Sequence, residues 1–122
     1  MTRTLLVALL ALAACGDDDE GAPRIDMLAP AEAAAGGAIE VLGVRFCGPD
    51  AADVKSDGTC ATPPNGFVTF GVAEGIMRAQ VKSWKGTEIQ VTVPALDPGV
   101  TRVIVTVNGL ASNQRDFTVA AP

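Results

Sequence analysis

The chain has no histidine, no tyrosine, one tryptophan and four phenylalanines among its 122 residues. Without imidazole there is no Ser-His-Asp or Cys-His relay, and no histidine ligand for zinc or haem iron. Ser56, Ser83 and Ser112 have no lysine three residues on, so the Ser-x-x-Lys device that activates a serine without histidine is missing as well. A carboxylate pair for glycoside hydrolysis is not excluded by spacing, but one small domain rarely holds the deep cleft that chemistry needs. Basic residues are few: Lys and Arg number 9 against 14 Asp and Glu, a net charge of -5. Nucleic acid needs a basic surface to replace its counterions, so no nucleic-acid partner is expected. The length suits one compact domain. These absences point to a protein that is not an enzyme and needs no cofactor.

One long apolar run is present. Arg3 precedes Leu5 to Ala14, ten consecutive apolar residues, followed by Cys15, Gly16 and the acidic run Asp17, Asp18, Asp19 and Glu20. The run is about half the roughly 20 residues a helix needs to cross a bilayer, and a positive residue before a short apolar core is the pattern of an export signal. Leu12-Ala13-Ala14-Cys15 resembles the lipobox of bacterial lipoproteins. The resemblance implies a diacylglyceryl thioether on Cys15, cleavage just before it and acylation of the new amino terminus. Cleavage at an ordinary secretory site, Ala11 to Ala13, or an uncleaved apolar N-terminus are the alternatives. Several acyl chains hold a protein to a membrane where one is marginal, at about 0.8 kcal/mol per buried methylene. Residues 1–14 are therefore expected to be the signal peptide, and 15–22 a lipidated acidic tether. Contiguous carboxylates in such a segment read as a solvated spacer, because a tight calcium site needs ligands fixed by a turn.

Residues 23–120 read as one all-β domain. Val, Ile, Thr and Phe cluster in short runs between Gly, Pro, Asn and Asp, with no sustained 3.6-residue apolar period. Strands are expected at Arg24 to Leu28, Ala38 to Phe46, Gly66 to Val72, Met77 to Trp84, Glu88 to Val93, Thr101 to Asn108 and Arg115 to Val119, about seven in all, which suggests a sandwich. Val103, Val105 and Val107 should face the core, with Ile89, Val91 and Val93 repeating the pattern. Gly43 interrupts the second strand where the apolar phase shifts from Ile39 and Val41 to Val44 and Phe46, which predicts a bulge there. Asn108-Gly109 is a turn signal, and the polar Ser112, Asn113 and Gln114 suggest a connection longer than a two-residue hairpin.

In order along the chain come Pro23, Ile25 and Pro30; Gly36 and Gly37; Gly43 and Phe46; Val68, Phe70 and Gly71; Ala79, Val81, Ser83 and Trp84; Ile89, Val91, Val93 and Pro94; and Gly99, Asn108-Gly109, Ser112-Asn113 and Phe117. Together these landmarks resemble the IPT/TIG family of immunoglobulin-like domains. The resemblance implies an early-set immunoglobulin sandwich, a fold found in cell-surface receptors, transcription-factor dimer modules and beside the catalytic domains of polysaccharide-acting enzymes. It carries no catalytic set, so it raises the expectation of an interaction module and no more. Trp84 takes a family position that usually packs against the sandwich, which is favoured here over an exposed glycan-stacking role.

The chain departs from that family pattern in the long connection between Phe46 and Gly66. With Cys15 assigned to lipid, Cys47 and Cys60 remain as an even pair, and outside the cytoplasm such a pair is expected to oxidise. Free thiols or a metal site are the alternative. With 12 residues between them, closing the loop should contribute about 3 kcal/mol by chain entropy. Asp50, Asp53, Lys55 and Asp57 make this loop the candidate recognition surface; the acids do not follow EF-hand spacing and no metal is assigned. The expected function is that of a lipid-anchored bacterial envelope protein binding an unidentified protein or glycan, with a structural spacer of an envelope assembly as the alternative. Gly16 after Cys15 lacks the aspartate that retains lipoproteins at the inner membrane of enteric bacteria, which favours the outer membrane.

Overall fold

The computed structural model describes residues 21–71 and 76–122. The apolar run at the N-terminus expected to be a signal peptide, Cys15 and the acidic run lie outside the described residues. Ten strands are present among the described residues: β1 (Arg24–Ala29), β2 (Glu32–Ala34), β3 (Ala38–Val44), β4 (Gly66–Phe70), β5 (Met77–Arg78), β6 (Gln80–Trp84), β7 (Glu88–Thr92), β8 (Gly99–Val107), β9 (Leu110–Ala111) and β10 (Arg115–Ala120). One sheet runs β1-β3-β7-β6 and the other β2-β10-β8-β4-β5, with β9 pairing antiparallel to the end of β8. These are the A-B-E-D and A′-G-F-C-C′ orders of an immunoglobulin-type sandwich.

Alternation places the core as expected. Val103, Val105 and Val107 of β8 are buried, as are Ile89 and Val91 of β7 and the following Val93. Phe70 and Phe117 meet edge to face with ring centroids 5.4 Å apart. That geometry sets the positive edge of one ring against the negative face of the other.

The count exceeds seven by three: β9 is a short strand just beyond the Asn108-Gly109 turn, and in two places an edge of the sandwich divides between the sheets. The stretch Met77 to Trp84, expected as one strand, is two. β5 pairs with β4 of the second sheet, whereas β6 pairs with β7 of the first. At the crossing Ala79 still donates its N–H to the carbonyl of Val68 (2.8 Å), and its small side chain is buried between the sheets. The first strand divides in the same way: β1 lies against β3, the cis peptide bond Ala29–Pro30 follows, and β2 pairs in parallel with β10.

The bulge expected at Gly43 lies on the facing strand instead. Ile25 pairs with Gly43 and Met27 with Leu42, so Asp26 of β1 is the extra residue. Through β3 the inward phase holds at Ile39, Val41 and Gly43. It changes at Arg45, whose φ of 61° is left-handed, and that turn drives Phe46 back into the core. Gly43 is glycine for clearance: a Cβ there would overlap the carbonyl oxygen of Arg24 and lie 2.8 Å from Cζ of Phe46. The Asn108-Gly109 turn is also tighter than expected. Both residues have positive φ (48° and 89°), and Val107 pairs directly with Leu110, as in a two-residue type I′ hairpin. The longer connection follows β9, at Ser112 to Gln114.

On the outer face of the first sheet Glu40 lies opposite Gln90 and Glu88 opposite Leu42, which sets the two carboxylates diagonally across β3 and β7. Hydrogen bonding to Glu88 and repulsion by its charge hold the Glu40 carboxyl above the usual carboxylate range, against a smaller opposite pull from Gln90. A carboxyl raised in the folded state binds its proton there first, so stability rises as pH falls through the raised value to the ordinary one, and the repulsion is greatest when both groups are ionised. Glu40→Gln is therefore expected to raise the melting temperature at neutral pH. The gain should vanish near about pH 3, below the ordinary carboxylate range, as thermal denaturation at the two pH values would show.

Candidate functional site

The cysteines sit at the base of the long loop. Cys47 and Cys60 form a disulfide with Cα atoms 5.2 Å apart, and Cys47 is buried. Past it, Ala51–Asp53 form a single 3-10 turn. A Cβ at Gly48 would lie 2.5 Å from an Asp53 carboxylate oxygen, so glycine makes room for that group. Asp53 Oδ2 accepts the N–H of Asp50 (2.9 Å), and its backbone carbonyl accepts the N–H of Ala61 (2.7 Å).

The tip is a small hairpin. Val54 pairs with Cys60, Lys55 donates its N–H to the Thr59 carbonyl (2.8 Å), and Gly58 donates back to Lys55 (2.9 Å). Asp57 Oδ1 accepts both the hydroxyl (2.6 Å) and the N–H (3.0 Å) of Thr59. Those two bonds, the hydroxyl first, hold the Asp57 carboxyl below its ordinary value, with Lys55 adding a smaller attraction. The hairpin docks on the turn between β6 and β7, where Gly86 donates its N–H to the Gly58 carbonyl (2.9 Å) and Val54 covers Gly86 so closely that a Cβ there would lie 2.8 Å from its methyl.

The four polar residues singled out in the sequence do not converge on one point. Asp50 and Asp53 share the 3-10 turn, while Lys55 and Asp57 share the hairpin tip. Both Asp53 and Asp57 are engaged in hydrogen bonds within the loop. Among the described residues no three His, Cys, Asp or Glu side chains gather as a metal-ion set. Asp50, Lys55 and Asp57 are exposed, so the loop presents a mixed-charge surface on a rigid base.

Trp84 is part of that base. Its indole Nε1 donates to the Phe46 carbonyl (2.7 Å), and its ring lies so close to Gly66 that a Cβ there would be 2.8 Å from two ring atoms. The side chain is partly buried against the core. Trp84→Phe removes the donor while keeping an aromatic ring, leaving the Phe46 carbonyl beside the disulfide without its partner. A loss of about 1–2 kcal/mol in denaturant unfolding is expected. In the wild type, the ring packed against Gly66 and the core should be quenched by iodide less readily than a fully exposed indole.

The loop and the start of the domain share one end of the sandwich. Arg24 pairs with Val44, Arg45 Nε donates to the Ala22 carbonyl (2.6 Å), and a Cβ at Gly21 would touch Pro49 at 3.6 Å. At the opposite end β10 finishes with Val119 opposite Gly99 and Ala120 beside Ala34.

A second feature, not singled out in the sequence, lies along β10. Where β1 diverges to the other sheet, an open cavity of about 450 Å³ is lined by Met27, Leu28, Ala31, Gln114, Arg115 and Asp116. Above it, side chains bridge the sheets. Asn113 accepts the N–H of Ile25 on Oδ1 (2.7 Å) and donates from Nδ2 to the Ile25 carbonyl (3.0 Å), an amide taking the place of a neighbouring strand. Arg115 donates to the Asp26 carbonyl. The local signal was the Ser112-Asn113 pair, whose polar character reads equally as an ordinary surface turn.

No family model matches the sequence, and no curated protein matches it. Among solved structures the chain is similar to a structural genomics protein of unknown function from Bacteroides thetaiotaomicron VPI-5482, with a TM-score of 0.60 and 17% sequence identity over 81% of this chain and 21% of that one. The present chain thus spans about a fifth of that protein's length. At this identity the likeness establishes a shared fold alone.

Proposed function

We propose that the protein is a bacterial envelope lipoprotein, anchored through lipid on Cys15, whose sandwich is a non-catalytic binding module for a protein or glycan partner. The observation that carries this reading is the cysteine assignment. Of three cysteines, Cys47 and Cys60 are spent in one disulfide, which leaves Cys15, at the end of the long apolar run, available for acylation. A disulfide also suits an oxidising compartment outside the cytoplasm.

Kinship with IPT/TIG domains belongs to the same proposal. It is supported by the work done at the positions that carry the resemblance: Gly43 clears Phe46, Trp84 caps the Phe46 carbonyl, and Asn113 holds β1. Cys15 and Gly21 are six positions apart, a reach of at most about 20 Å when fully extended. An anchor on Cys15 therefore keeps the disulfide loop at the membrane-facing end of the domain.

The test is metabolic labelling with a clickable palmitate analogue followed by fractionation. Wild type should carry label and sediment with membranes, preferably the outer one, whereas Cys15→Ala should lose both. Label and sedimentation that persist in Cys15→Ala would refute the anchor. For the binding role, replacing residues 47–66 by a short connection and finding in-cell crosslinking to partners unchanged would remove the loop from the binding surface. A spacer role is favoured by one observation, that the domain's two chain ends lie at opposite poles. Protease shaving of whole cells separates the readings, since an exposed module is cut and an internal spacer is protected.

A further inference from the structure

The sequence holds two Asn-Gly dipeptides, Asn65-Gly66 and Asn108-Gly109, and the fold sets them side by side. Asn108 donates its N–H to the Asn65 carbonyl (2.8 Å), and Asn65 donates its N–H to Oδ1 of Asn108 (2.9 Å). Both asparagines are exposed. An asparagine followed by glycine is open to attack on its own side chain, because a residue without Cβ lets its amide nitrogen swing onto the carboxamide carbon. With the dipeptide the same, the surroundings decide which one reacts.

Three observations favour Asn108. The nucleophile there is free: Gly109 is exposed, nothing lies within 4 Å of where its Cβ would be, and among the described residues its N–H donates no backbone hydrogen bond. The electrophile is polarised. The Asn65 N–H meets Oδ1 of Asn108 within the range of about 2.7–3.1 Å that suits an oxyanion-hole donor, so it stabilises the negative charge that gathers on that oxygen as Cγ is attacked. Asn65 itself is bonded through its backbone alone among the described residues. Finally, the Asn65-Gly66 peptide is clamped. Gly66 pairs with Val107 and lies under Trp84, where a Cβ would be 2.8 Å from two ring atoms. Turning that peptide towards the Asn65 side chain would drive it against the ring and out of register.

We propose that Asn108 is a site of spontaneous modification, cyclising with Gly109 while Asn65 stays intact. The Gly109 nitrogen bonds to Cγ of Asn108 as the Cγ–Nδ2 bond breaks. Nδ2 leaves as ammonia, carrying the proton that Gly109 gives up, and a five-membered succinimide remains. Water then opens the ring, with no change of oxidation state. Opening at Cγ gives aspartate, which keeps the turn and offers the Asn65 N–H a charged acceptor. Opening at the main-chain carbonyl gives isoaspartate, whose backbone runs through the side chain and gains a methylene. The lengthened turn cannot hold Val107 opposite Leu110, so β9 separates from β8.

Neither the anchor nor the binding role enters the test. The full chain purified in detergent is aged in warm, mildly alkaline buffer, then reduced, digested with trypsin and mapped by mass spectrometry. Asn65 falls in residues 56–78 and Asn108 in residues 103–115, where fragmentation separates it from Asn113. In the folded chain Asn108 should deamidate at least about tenfold faster than Asn65, a modest effect for one oxyanion donor. In guanidinium the two rates should converge. Hydroxylamine, which cleaves a succinimide, should cut the native chain after Asn108 and spare Asn65, and Gly109→Ala should suppress that cut. Equal rates in the folded chain, a faster Asn65, cleavage after Asn65, or a preference for Asn108 that survives denaturation would each overturn the proposal, the last because the preference would then belong to the neighbouring sequence and not to the fold.

Discussion

Gly43→Ala is expected to destabilise the sandwich by at least about 3 kcal/mol, a large share of the about 5–15 kcal/mol that holds a small domain together. The added methyl group has nowhere to go. On one side it overlaps the backbone oxygen of Arg24, and on the other it presses on Cζ of Phe46 at 2.8 Å. The first obstacle is main chain paired across the β1-β3 ladder, and the second is a fully buried ring. Neither is the loose end of a flexible side chain. Guanidinium unfolding of the purified variant measures the loss, and failure to accumulate as folded protein is the extreme form of the same result. Phe46→Leu added to Gly43→Ala should not restore stability, because the Arg24 carbonyl remains in place. A variant within about 0.5 kcal/mol of wild type, the range of a neutral surface change, would mean that β1 does not lie against Gly43.

Removing the disulfide is expected to cost about 3 kcal/mol. The basis is the loop it closes, with a sequence separation of 13, for which the entropy of the unfolded chain gives a value of that size. Cys47→Ala with Cys60→Ala should lower the denaturant midpoint and slightly steepen the slope, because the unfolded chain loses its cross-link. The effect should also be local. Lys55 and Gly86 donate their amides within and beneath the hairpin, and their hydrogen exchange should accelerate more than that of Val105 in the centre of β8. Equal midpoints for the oxidised wild type and the double variant would show that the pairings of Val54 with Cys60 and Thr59 with Lys85 hold the loop unaided.

The two variants bear on different kinds of information in the sequence. The inward faces of β7 and β8 were legible because Val91, Val103, Val105 and Val107 alternate with polar or half-buried neighbours, and period two has one structural meaning. Sheet membership was not legible. Ala79 lies inside an unbroken β-like run, and whether β5 and β6 belong to one strand or two depends on which partners wait on either side. Gly43 was visible as an irregularity, but its cause lay across the ladder at Asp26 and along the chain at Arg45. A glycine by itself does not distinguish a bulge from a close approach.

For the site, Cys47 and Cys60 could be paired by counting. The docking of their hairpin on Gly86 could not be foreseen, because it rests on a glycine from a distant turn. The cavity along β10 was the least legible. No residue in it is unusual, and it exists because one strand departs for the opposite sheet.

The parallel pairing of β2 with β10 has a mechanical consequence. The chain comes in at the Gly21 pole and finishes at the Ala120 pole, so traction applied between the two pulls β1 and β10 in opposite directions along their length. The paired residues Glu32 with Thr118, Ala33 with Val119 and Ala34 with Ala120 are then loaded together in shear rather than peeled apart one at a time. A tether fixed at one pole and a load at the other thus meet the fold along its stiffer axis.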